Sequence, residues 1–159
     1  MSLNILSILS TTANLLQKEK DTVNLNLNKK FSNIILGVDG LHQSYPVPKS
    51  LYPVIFVEAV SKSEDFSCLG NYSERNTDLS INIIPVTEYG IGIDSSREHA
   101  ANEILQMTQN IENVIRDHIA VSSTVESCNI ESTSYGTQLR EDTWNHVSII
   151  NLKIFKRAI

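Results

Sequence analysis

Cysteine is nearly missing from this sequence: Cys68 and Cys128 are its only two, 60 residues apart and without metal-ligand spacing. That excludes a disulfide framework and a cysteine-based zinc site, and leaves two idle or buried thiols. Charge is sparse as well, at 19% of residues against about 25% in ordinary domains. Nor is there a basic excess. The formal charge is −5 with a pI near 5.3, which argues against tight nonspecific binding to a phosphate backbone. The one basic cluster, Lys153, Lys156 and Arg157, reads as a solvated strand edge. No stretch approaches the roughly 18 consecutive apolar residues of a membrane span. Residues Met1–Ser10 lack a basic leader and are broken by Ser and Asn, so no secretory signal is expected, and the cytoplasm is the expected place of folding. Asn71-Tyr72-Ser73 is then an accidental glycosylation sequon.

The usual signatures of catalysis are missing too. His42, His99, His118 and His146 are scattered, with no two-histidine i, i+4 pair, so neither a metal nor another cofactor is expected. Neither a Gly-x-Ser-x-Gly elbow nor a Cys-His signature occurs, and no catalytic residue is assigned. Gly90-x-Gly92 stands before a helix but lacks a third glycine and follows Pro85; it reads as a turn rather than a phosphate loop. Asp39, Asp65, Asp78, Asp94 and Asp142 all fall in expected turns, where Asp satisfies local backbone donors.

What is present is ample apolar material, 41% of the chain, and 44 Ser, Asn and Thr residues. Residues 1–159 are therefore read as one globular domain with one core. A polar but lightly charged surface costs less to desolvate than a Lys/Glu-rich one, which suits subunit contacts; biased base composition would also produce the Asn excess.

Patterning orders the elements as helix, strands, helix, strand pair. From Leu3 to about Lys18, Leu6, Leu9, Ala13 and Leu16 form a helical stripe widened by Ile5, Ile8 and Leu15. Phe31–Val38 reads as a short strand before Asp39-Gly40, and Ser44–Lys49, with two prolines, as a surface connection. Leu51–Val60 is a strong strand. Its expected antiparallel partner carries Leu79, Ile81 and Ile83 on one face, and the broken parity at Ile84-Pro85-Val86 points to a bulge or edge. A second helix starts at Ser95 with a Ser95–Glu98 capping box. Its core face is Ala101, Ile104, Leu105, Thr108, Ile111, Ile115 and Ile119, and Asn110 lies on the opposite face. Val125 to about Tyr135 and Trp144–Phe155 complete the strands, the latter with a parity slip between Ile149 and Ile150 that reads as a bulge.

Between the paired strands lies a long loop, about 61–78. There Phe66, Leu69 and Tyr72 stand beside Arg75 in a polar segment, a composition that favours an interface; folding back of Phe66 and Leu69 onto the core is the competing reading. Trp144 is read as partly buried packing, or as an interface anchor if exposed. A pocket near His42, Asp94 and His146 is the site an alternative ligand-binding domain or small enzyme would use.

Taken together, the amphipathic helix Leu3–Lys18, the strand Tyr52-Pro53-Val54-Ile55-Phe56-Val57, the long hairpin into Leu79-Ser80-Ile81-Asn82-Ile83-Ile84, the helix after Ser95 and the closing Thr143–Leu152 segment resemble a tail terminator protein of a long-tailed bacteriophage. The resemblance covers most of the chain, excepts Asp21–Ser50, and is architectural. It implies an α+β fold, with a mixed, mainly antiparallel sheet and two main helices packed against it. It also implies a homo-oligomeric ring, hexameric in the family, that caps the tail tube, ends its polymerisation and joins tail to head. The implied partners are other copies of the chain, the tail tube protein and a head-connector or neck protein, with DNA only passing through the channel and no membrane. The implied location is the head–tail junction of the virion, after assembly in the host cytoplasm.

Overall fold

Apolar residues two apart along five segments build one sheet, and the computed structural model describes it through residues 4–48, 51–65, 76–90, 94–118, 127–140 and 143–156. In chain order the elements are α1 (Ile5–Lys18), α2 (Lys20–Val23), β1 (Asn33–Val38), α3 (Leu41–Ser44), β2 (Val54–Asp65), β3 (Asn76–Gly90), α4 (Asp94–Asp117), β4 (Ser127–Arg140) and β5 (Thr143–Lys156). The strands lie in the order β1-β2-β3-β5-β4, with β1 parallel to β2 and every other neighbouring pair antiparallel. The fold is α+β, with a mixed, mostly antiparallel sheet and two long helices, α1 and α4.

Alternation sorts the side chains onto two faces. One face carries Ile55, Val57, Leu79, Ile81, Ile83, Ile150, Leu152 and Ile154, packed with Ile8, Leu9 and Leu16 of α1 and Met107, Ile111 and Ile115 of α4. The other carries Val54, Phe56, Ile84, Val86 and Val147, packed with Tyr52, Leu41 and Val47. Two buried faces explain the doubled apolar residues Ile83-Ile84 and Ile149-Ile150, where the sequence pattern reads as bulges. The β3–β5 register runs through both doublets without a shift, and β3 is the central strand rather than an edge. The register shifts lie elsewhere, between Ala59 and Ser61 in β2 and between Ile130 and Ser132 in β4. Pro85 interrupts the ladder to β5, which resumes at Val86 in the same register.

The segment Tyr45–Pro48 is more than a surface connection. Val47 packs against the second cluster, and the Tyr45 ring meets Phe56 edge-on at a centroid distance of 5.9 Å. The pairing of β2 with β3 persists to Asp65 opposite Asn76, so both strands extend into the stretch the sequence reads as loop.

Both long helices are rotated from their sequence stripes. In α1 the buried positions are Ile8, Leu9, Thr12 and Leu16, and Leu6 is exposed. Thr12 enters the core because its hydroxyl donates to the Ile8 carbonyl at 2.8 Å, leaving no orphan donor. In α4, which begins one residue before Ser95, Leu105 is exposed and Asn110 is buried. Asn110 donates through Nδ2 to the carbonyls of Val23 and Leu25, both at 2.8 Å. These bonds tie the chain after α1 along α4, so α4 is covered by that segment as well as by the sheet. The side chains of the Ser95–Glu98 capping box and the residue Ile119 lie outside the described residues.

Candidate functional site

A single carboxylate inside the apolar run Val54-Ile55-Phe56-Val57-Glu58-Ala59-Val60 organises the second face of the sheet. Glu58 is fully buried. One carboxylate oxygen accepts the Gly40 amide at 2.9 Å and the other accepts the His42 amide at 2.8 Å. The His42 Nδ1 lies 3.2 and 3.0 Å from the same two oxygens. Both oxygens act as acceptors, so Nδ1 carries the hydrogen in this pair. The tight approach needs two glycines: Gly40 takes a left-handed φ of +92°, and a Cβ on Gly37 would collide with Leu41. Glu58 thereby fastens α3 to the sheet.

Beside this fastening runs a groove of about 280 Å³. Its walls are His42 and Gln43 from α3 and the stretch Ser134–Gln138 of β4, over Val147 and Ile149 of β5. Gln138 donates to the Gln43 carbonyl at 3.4 Å across one end. The mixture of a small apolar floor and neutral polar walls suits a side chain or a small neutral ligand better than a charged one.

The alternative pocket does not assemble. His42 lies on the face covered by α3, whereas His146 shares the strand parity of Ser148, whose hydroxyl lies 2.6 Å from Thr108 of α4 on the opposite face. The sheet separates the two histidines. Asp94 opens α4, and its side chain is not among those described. Trp144 is half-buried near the start of β5, opposite Tyr89 and Leu139 and on the α4 side by parity. Phe66, Leu69, Tyr72 and Arg75 lie outside the described residues, between the last β2–β3 pair and its return.

Sequence reasoning passed over Glu58, although its signal was there: one acid within seven apolar strand residues has to find buried donors. Among the described residues no group of three or more His, Cys, Asp or Glu is placed to hold a metal ion, and no helix is long and apolar enough to cross a membrane. The outer strands offer a different kind of surface. Side chains from Glu131 to Thr137 of β4 are exposed except for the half-buried Thr133, and Leu36 and Val38 stand exposed on β1. No protein-family model and no curated protein matches the chain.

Proposed function

We propose that this chain is a structural subunit of a long-tailed bacteriophage, a ring-forming protein that caps the tail tube, ends its polymerisation and offers the surface on which the head docks. The observation that carries the reading is the β2–β3 hairpin. Its strands of 12 and 15 residues stay paired out to Asp65 and Asn76, a long hairpin of the kind the resemblance to tail terminators leads one to expect. In this reading the work is mechanical rather than catalytic, and needs no cofactor. The acidic balance of the chain repels the phosphates of DNA moving through the ring. The partners are further copies of the chain, the tail tube protein and a neck or connector protein, at the head–tail junction of the virion.

The test is to add the purified chain to polymerising tail tube protein from the same phage and measure tube lengths by negative-stain imaging. Capping shortens the length distribution in proportion to the chain added and leaves a ring at one end of each tube. Incorporation along the tube would make the chain a tube subunit instead. Absence of any effect would remove both roles. The groove beside His42 favours one second reading, a small ligand-binding domain. Saturable binding in a screen of neutral metabolites, lost in Gln138→Ala, would support that reading.

A further inference from the structure

The two edges of the sheet are unlike, and they face opposite ways along their strands. From β1, parallel to β2, three antiparallel steps through β3, β5 and β4 leave β4 running opposite to β1. At the end of β1 the Asp39 amide donates to Ala59 of β2, so by alternation the amides of Ile34, Leu36 and Val38 point outward. Asn33 Oδ1 takes only that of Ile34, at 2.9 Å. The other edge, β4, contains neither proline nor lysine, and Ser132–Leu139 is uncharged. Natural edge strands normally carry such residues to prevent pairing with another chain. On the helix-bearing face Leu36 and Val38 are 37% and 70% exposed beside one edge, and Tyr135 is 56% exposed beside the other.

We infer that β4 of one copy adds to β1 of the next, antiparallel, so that the sheet continues from subunit to subunit. The occupant of each edge is a second copy of this chain, because the edges match in three respects. Their directions are opposite, neither brings a charge to the seam, and the exposed apolar side chains of both lie on the same face. A continuous sheet keeps that face common to both copies and brings Tyr135 of one copy against Leu36 and Val38 of its neighbour. Since the two surfaces differ, the contact is head-to-tail and repeats until a ring closes. Only this closure rests on the tube-capping reading; the strand pairing stands on the edges themselves.

The experiment blocks each edge separately. Leu36→Pro removes an outward amide that the β1–β2 ladder does not use, and Val38→Lys puts a charge on the same edge at a solvent-facing position, which keeps the test alive if the proline variant fails to fold. Tyr135→Lys with Thr137→Lys blocks β4. Masses are read by light scattering and mass photometry across a concentration series, with thermal midpoints as the folding control. The wild-type chain is expected to assemble, each blocked variant to stay at 17.8 kDa, and an equal mixture of the two to stop at dimers, because each retains one competent edge. A monomeric wild type, variants that still assemble, or a mixture that stays monomeric would each overturn the pairing. Homodimers of the β1-blocked variant would overturn it in favour of β4 pairing with itself. If blocked variants still form rings and cap tubes, the pairing falls and the tube-capping reading stands. If the mixture gives the expected dimers but the wild type never caps a tube, the pairing stands and that reading falls.

Discussion

At the level of single residues, Glu58 fastens its surroundings to the sheet. It is the common acceptor for two backbone amides and one imidazole nitrogen. Exchanging it for Gln leaves one oxygen in place of two and puts amide hydrogens against donors. Glu58→Gln is expected to destabilise the fold by about 2–4 kcal/mol, seen as a lower urea midpoint with unchanged slope, and to speed hydrogen exchange at Gly40 and His42 before other amides. Cys128 gives a pH-dependent counterpart. Burial pushes its thiol from the ordinary 9.0 up to about 11. Between those values the unfolded chain loses the proton first, so the contribution to stability is complete below about pH 9 and is lost as the pH rises through 11. Urea titrations at stepped alkaline pH should show this decline, and Cys128→Ala should flatten it.

At the scale of elements, the sequence shows all five strands and both long helices, because alternation and 3-4 spacing survive wherever one side is covered by core. It misleads where two sides are covered. The doublets at Ile83-Ile84 and Ile149-Ile150 look like slips in parity, yet each residue has its own apolar cluster, one against α1 and α4 and the other against α3 and Tyr45–Pro48. Likewise Asn110 carries the mark of a solvent residue, and only the carbonyls of Val23 and Leu25, far away in sequence, make its burial favourable. The short helices α2 and α3 leave no periodic trace at four residues each. The candidate site was legible only in part, since Glu58 stood in plain view while its donors come from a turn that periodicity does not mark. Asn110→Ala is expected to cost about 1–3 kcal/mol and to make residues 20–31 the first site of limited proteolysis, while α4 itself stays folded.

For the whole molecule, covering is uneven along the sheet. At one end both faces are packed, around Phe56 and Val86 on one side and Ile55 and Ile83 on the other. Towards the other end the second face is mostly polar, with Ser61, Ser63, Asp78 and Lys153 exposed beside the half-buried Phe155. There Asn151 bridges Ser80 and Asn82 at 2.9 and 2.8 Å in place of apolar contacts. Such a sheet does not open everywhere at the same free energy. Native-state hydrogen exchange should grade along each strand, slowest near Ile55, Ile84 and Ile149 and faster towards Asp65 and Asn76; uniform protection along β2 and β3 would contradict the uneven covering. With that grading, the far part of the hairpin separates and re-forms more often than the part packed on both faces. A contact made there is able to search for its fit on a fast clock while the rest of the chain keeps a slow one.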